Sequence, residues 1–194
     1  MTRIISGLAG GRRIHTPQGS GTRPTSDRVR EALFSRLVHL DVVNRANVLD
    51  LYAGSGALGL EAASRGAIRV LMIESDRAAV AVVDRNIDEL ALAGVSVRAD
   101  TVERALRRGP AVGEAPFDLV LADPPYDVTE EAIFEVLLLL VTQAWLSDEA
   151  LVVVERSARS PEPRWPQGLS GAGERRYGDT KMWFADVAGP RGVA

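Results

Sequence analysis

An apolar run that ends in a carboxylate and opens into a glycine loop constrains this chain more than any other feature. Val48–Tyr52 leads into Gly54-Ser55-Gly56-Ala57-Leu58-Gly59, the G-x-G-x-x-G spacing of a tight strand-to-helix turn whose backbone a ligand can approach closely. Glu74 follows Gly54 by 20 residues, at the end of the next apolar run. An acid at that distance suits a ribose. A loop of this kind belongs in a parallel sheet covered by helices.

The rest of the chain repeats the alternation. Strands are expected at Val48–Tyr52, Ile68–Glu74, Ser96–Ala99, Phe117–Ala122 and Ala150–Glu155. Between them the spacing predicts helices over Ala57–Ser64, about Arg77 to Leu92, Val102–Arg107 and about Thr129 to Gln143. Gly94 would close the second of these helices from the C′ position. Arg156–Gly173, rich in proline, glycine and serine, reads as a loop. A hairpin then pairs Arg175–Tyr177 with Lys181–Val187 through Gly178-Asp179. The expected fold is α/β: a doubly wound, mainly parallel, seven-stranded sheet over residues 46–188 with a C-terminal antiparallel hairpin. A short extension, residues 1–45, precedes it. There, Ile4–Ile14 could form a small hairpin, Gly19–Arg23 is loop-like, and Thr25, Ser26 or Asp27 could cap a helix running to about Val38. Val29, Leu33, Phe34 and Leu37 would pack that helix, leaving Arg28 and Arg36 on the opposite side.

Composition narrows the function. Apolar residues are 46% and charged residues 25%, the balance of a globular domain. The longest apolar stretch, Ala132–Val141, contains Glu135 and is too short to span a bilayer. No apolar signal region follows Met1-Thr2-Arg3, so the expected location is the cytoplasm. With no cysteine and only His15 and His39, no protein-held metal is expected. The net charge of −3 conceals +5 on residues 1–45 and −8 on the remainder. A basic arm on an acidic body suggests a polyanion approaching from one side, with Arg3, Arg12, Arg13, Arg23, Arg28 and Arg30 as phosphate contacts. Arginine dominates the cations throughout the chain, so the clustering carries this reading.

The loop by itself fits either a dinucleotide or S-adenosylmethionine. Asp50 separates them, because a carboxylate beside the loop repels a pyrophosphate but suits the α-ammonium of a methionyl group. S-adenosylmethionine is therefore the expected cofactor. Its holders would be Asp50, Ala53, Gly54, Gly56, Glu74 and Ser75, with Asp100 and Thr101 at the end of the third strand near the adenine amine. Helix capping and turn formation are the commoner fates of such acids. It is their repetition at three strand ends that argues for a site.

Asp123-Pro124-Pro125-Tyr126 selects the chemistry. Two successive prolines fix an extended backbone without N–H donors, so the segment offers acceptors alone: the Asp123 carboxylate and the Pro124 carbonyl. An exocyclic base amine has two N–H donors and a lone pair delocalised into the ring. Acceptors on both hydrogens orient it for in-line attack on a sulfonium methyl, and the carboxylate stabilises the charge that develops. Tyr126 supplies a stacking face. A duplexed base could not reach such a site without flipping out. A simple turn would also use Pro-Pro, but the carboxyl end of a central strand is where open α/β sheets keep their ligands.

These stretches resemble the bacterial 16S rRNA guanine-N2 methyltransferases of the guanine-966 type, a family with the class I fold of S-adenosylmethionine-dependent methyltransferases. The matching segments are Arg3-Ile4-Ile5, Gly11-Arg12, Arg23–Phe34, Leu49–Ala62, Asp123–Tyr126 and Arg176–Thr180. The resemblance implies methyl transfer to N2 of one guanine, on an assembled or assembling small ribosomal subunit, by a monomer. Ala9 and Gly10 stand where that family often carries an aromatic and a basic residue. Alternatives are an adenine or cytosine amino methyltransferase of other RNA or DNA, and a non-catalytic RNA-binding assembly factor. The chain has no evident separate domain for reading a duplex, and turnover would distinguish the second alternative. A nicotinamide enzyme would bind dinucleotide instead.

Overall fold

Seven strands form one sheet whose order, edge to edge, is Val95–Ala99, Arg69–Glu74, Asn47–Leu51, Phe117–Ala122, Leu146–Ser157, Thr180–Val187 and Leu169–Tyr177. In the computed structural model, residues 2–17 and 26–188 are described. Along the chain these strands are β3 (Asn47–Leu51), β4 (Arg69–Glu74), β5 (Val95–Ala99), β6 (Phe117–Ala122), β7 (Leu146–Ser157), β8 (Leu169–Tyr177) and β9 (Thr180–Val187). The first five run parallel, and β9 pairs antiparallel with both β7 and β8. The helices are α1 (Asp27–His39), α2 (Ala57–Ser64), α3 (Arg77–Leu90), α4 (Val102–Arg107) and α5 (Glu130–Thr142). This is the class I methyltransferase arrangement. Among the described residues no helix is long and apolar enough to cross a membrane.

The strand alternation builds two cores. Val48, Val70, Met72, Leu119, Leu121 and Val153 face one side and pack on α1, α2 and α3. Leu49, Leu51, Leu71, Ile73, Val120, Val152 and Val154 face the other and pack on α4 and α5. A period of two on strands buried on both faces produces this division. In the second core Trp145 is fully buried, donates from Nε1 to Leu106 O at 2.9 Å, and stacks on Phe117 at 5.8 Å.

The basic extension shares the first core. Thr2–Arg3 (β1) pairs with Arg13–Ile14 (β2), and Ile4, Ala9 and Ile14 are buried with Leu33, Phe34 and Leu37 of α1. Ser26 caps α1, its hydroxyl accepting from Val29 N at 3.3 Å. The turn between β1 and β2 docks on the end of α2: Leu8 N donates to Ser64 O at 2.7 Å and Ala9 N to Ser64 Oγ at 2.9 Å. Ala9 is thus structural in this chain, and the turn meets solvent through Leu8 and Gly10.

Three expectations need correction. Helix α3 ends at Leu90 with Ala91 in the left-handed conformation, so Gly94 is not its C′ residue. Gly94 instead lies against β4, where a Cβ would meet Ile68 O at 2.2 Å. Second, β8 begins at Leu169, inside the segment expected to be a loop. As an edge strand exposed on both faces it lacks an apolar alternation. Third, β7 starts at Leu146, earlier than Ala150, because Leu146 still pairs with Phe117 across a register shift. Gly19–Arg23 and Thr25 lie outside the described residues.

Candidate active site

Because β3 and β6 are neighbours, with Asp50 opposite Leu121 and Leu51 opposite Ala122, their C-terminal loops emerge side by side. Between them lies a cleft of about 290 Å³. One wall is the glycine loop: Tyr52, Ala53, Gly54 and Ser55, with Ala57 and Leu58 of α2. Glu74, Ser75 and Asp76 form the floor beyond β4, and Asp123-Pro124-Pro125-Tyr126 forms the opposite wall. Thr16 and Pro17 of the extension complete the rim.

The glycines serve different ends. Gly54 has φ +57°, and a Cβ there would meet nothing within 4 Å, so the backbone is left bare toward open space. Gly56, at φ +79°, is buried, and a Cβ would stand 3.1 Å from Met72 Sδ. A Cβ at Gly59 would lie 2.8 Å from Met72 Cγ and 3.0 Å from Asp50 Oδ2, which fixes how closely α2 approaches the sheet. Gly59→Ala is therefore expected to destabilise the fold by about 1–3 kcal/mol. A thermal melt checks this, and an unchanged midpoint would show that α2 can shift freely.

Two carboxylates hold the loop. Glu74 accepts Gly54 N at 2.7 Å on one oxygen, and Ser75 N at 2.7 Å and Asp76 N at 2.8 Å on the other. Asp50 is 1% exposed and accepts Gly59 N at 2.8 Å through Oδ2, while its buried Oδ1 has no partner. Burial pushes the Asp50 carboxyl up from its ordinary 3.8 to about 7. The Gly59 bond opposes that shift, and the nearby charges of Asp123 and Glu74 add to it. Asp50 does not line the cleft. It sits beneath the loop, where its field acts through Ala53 and Gly54.

Tyr52 was not expected at this site. It lines the cleft at φ +63°, a conformation that costs a β-favouring aromatic about 1–2 kcal/mol. Its hydroxyl stands 3.5 Å from Glu103 Oε1, and burial and that carboxylate raise the phenol pKa.

Asp123 borders a second, smaller recess on its far side. That recess shares Asp123, Pro124 and Tyr126 with the cleft and adds Glu155, Arg156, Ser157 and Ser160. Arg156 is 7% exposed and donates to Val128 O at 3.0 Å and Glu130 Oε1 at 2.6 Å. Tyr126 is 67% exposed, so its ring has a face free of the core. The Asp123–Tyr126 segment thus offers acceptors and an aromatic face to the cleft.

Some expected residues lie elsewhere. Asp100 and Thr101 do not line the cleft. Both Asp100 oxygens are engaged, by Arg104 and Thr101 N on one and by Arg108 at 2.8 Å on the other. Burial opposes ionisation of Asp100, but the Arg104 hydrogen bond and the two arginine charges outweigh it and hold its pKa below the usual range. Thr101 caps α4, accepting Arg104 N at 3.3 Å. Arg30 is fully buried, donating to Arg3 O and, at 3.0 Å, to Asp27 Oδ1, so it cannot meet a phosphate from solvent. Arg36 is half-buried and lies over the Phe184 ring at 5.0 Å. Arg3, Arg12, Arg13 and Arg28 are exposed, and Arg23 lies outside the described residues.

Known proteins share this architecture. The family model described as conserved hypothetical protein 95 matches residues 2–186. Ribosomal RNA small subunit methyltransferase D of Escherichia coli is 38% identical over 169 residues, covering 87% of this chain and 81% of that protein. The protein of the same name from Haemophilus influenzae is 35% identical over 164 residues, 82% of this chain and 80% of that one. The solved structure of yhhF from Escherichia coli superposes with a TM-score of 0.82 at 36% identity, covering 96% and 97% of the two chains. By sequence over nearly its whole length, and by fold, this chain belongs to the conserved hypothetical protein 95 family of methyltransferases, that of small subunit methyltransferase D.

Proposed function

We propose that this protein transfers the methyl group of S-adenosylmethionine to the exocyclic N2 amine of one guanine in 16S rRNA, at the guanine-966 type of site. It would act in the cytoplasm, as a monomer, on an assembled or assembling small subunit. The observation that carries this reading is the cleft itself: the glycine loop and Asp123–Tyr126 form its opposite walls, so a methyl donor held on one and an acceptor amine held on the other can meet within it. The names of the relatives, which act on small-subunit rRNA, support the substrate class.

The residues of the cleft fit the cofactor. The Asp50 carboxylate beneath the loop favours a positive group such as an α-ammonium above it, Gly54 leaves room for close approach, and Glu74 keeps lone pairs for ribose hydroxyls beside Ala53 and Ser75. When bound, the cofactor supplies an electrophilic methyl on a sulfonium. Asp123 and the Pro124 carbonyl accept the two N2 hydrogens and orient the lone pair, Pro125 keeps that backbone extended, and Tyr126 stacks on the base. As the N–C bond forms and the methyl–sulfur bond breaks, the positive charge would pass from sulfur to the amine. The Asp123 carboxylate stabilises it until a proton is lost.

The choice of guanine over adenine or cytosine follows the family to which the chain belongs. The exposed Arg3, Arg12, Arg13 and Arg28 would contact phosphate, making binding salt-dependent.

Labelled cofactor incubated with this protein and small subunits from a strain lacking the family enzyme should place label on N2 of a single guanine. Label on adenine or cytosine, or none in the subunit, overturns the proposal.

A further inference from the structure

Asn86 of α3 is 1% exposed, and its amide joins two parts of the molecule. Its Oδ1 accepts His15 N at 2.8 Å, and its Nδ2 donates to His15 O at 3.0 Å and to Ser55 O at 3.0 Å. Ser55 lines the cofactor cleft, as do Thr16 and Pro17, the residues directly after His15. A second tie lies one turn along the helix. The Arg12 guanidinium donates to Leu90 O at 3.0 Å and to Glu89 O, where the helix end favours a cation. The His15 ring stands 3.0 Å from Glu89 Oε2. The basic arm is therefore docked along α3, and it reaches the glycine loop through one side-chain amide.

We infer that Asn86 is a positioning residue that couples cofactor binding to RNA binding. A cofactor in the cleft touches Ser55 on one side and Thr16–Pro17 on the other. Asn86 makes these a single unit, so filling the cleft also fixes His15 and, just before it, strand β2 with Arg13 and the adjoining Arg12. Linkage requires the converse: RNA held by those arginines tightens the cofactor by the same factor. The RNA half of this inference rests on the proposed function, whereas the link between cofactor and arm stands without it.

Saturating S-adenosylhomocysteine should tighten binding of the wild-type protein to unmethylated small subunits about tenfold. Asn86→Ala should lower affinity for S-adenosylhomocysteine alone about tenfold and bring the coupling factor close to one. Asn86→Asp keeps the acceptor for His15 N and loses both donated bonds, so it should uncouple similarly with a milder effect on the melting temperature. A merely structural amide would change melting and leave the coupling factor intact, which would overturn the inference. Should neither variant fold, amide hydrogen exchange on the wild type decides. S-adenosylhomocysteine must slow exchange at residues 13–16, and unaltered exchange sinks the idea. If wild-type protein ignores small subunits altogether, the proposed function fails, while the exchange result still tests the tie between cofactor and arm.

Discussion

Replacing Asp123 with alanine is expected to lower methyl transfer about 10³-fold while leaving cofactor affinity within a small factor. Asp123 stands at the C-terminal end of β6, its N–H 3.4 Å from Leu51 O of β3, and borders both recesses. The next two residues are prolines, whose side chains offer no acceptor, so within this segment only backbone carbonyls remain after the change. Losing the carboxylate removes both the orientation of the amine and the stabilisation of its developing charge. Cofactor affinity should not suffer. Asp123 is one of the charges that raise the Asp50 pKa, so its removal makes the Asp50 carboxylate easier to form. Single-turnover transfer from labelled cofactor, alongside a calorimetric titration with S-adenosylhomocysteine, separates the two effects. Near-normal transfer by the variant would remove Asp123 from the chemistry, and equal loss of transfer and binding would make it structural.

The elements that position this residue were legible because each carried a local signal. Phe117–Ala122 is an apolar run between breakers, and Ala57–Ser64 follows a glycine pair, so the expected and observed bounds coincide. Where the signal was absent, the reading failed. Edge strand β8 contains Gly171 and Gly173 and is exposed almost throughout, so no alternation marks its start. Asp100, expected near the adenine amine, also pairs with Arg104 one helical turn on, a tie that its spacing already allows. Arg30 looked like part of a basic face. Its burial depends on Glu61, which is distant in sequence and 3.7 Å away in space, and no periodicity reports that. Thr16, Pro17 and Asn86 belong to the cleft or its support only through the folding of the arm onto α3. That proximity is tertiary.

Asp50 should make both stability and cofactor binding depend on pH, with opposite slopes. In the folded protein without cofactor its pKa is about 7, against an ordinary 3.8 for an unfolded chain. Between those values the folded state binds the extra proton, so stability is greatest below the unfolded pKa and falls as pH rises toward 7. Above the folded pKa the loss is complete, on the order of 4 kcal/mol from about three units at 1.36 kcal/mol each. Denaturant titrations should show that decline in wild type and not in Asp50→Asn, which cannot ionise. Cofactor binding should run the other way. An α-ammonium held above the loop favours the carboxylate beneath it through space, so binding near neutral pH expels a proton. Affinity should climb as pH rises through the folded pKa of about 7 and level off above it. Calorimetry in two buffers of different ionisation enthalpy measures the proton directly. Release in wild type and none in Asp50→Asn, with weaker binding by the variant, is the expected pair of results. Proton uptake, or an unchanged slope in the variant, would place the ammonium away from Asp50 and leave its buried carboxyl with the role of holding Gly59 alone.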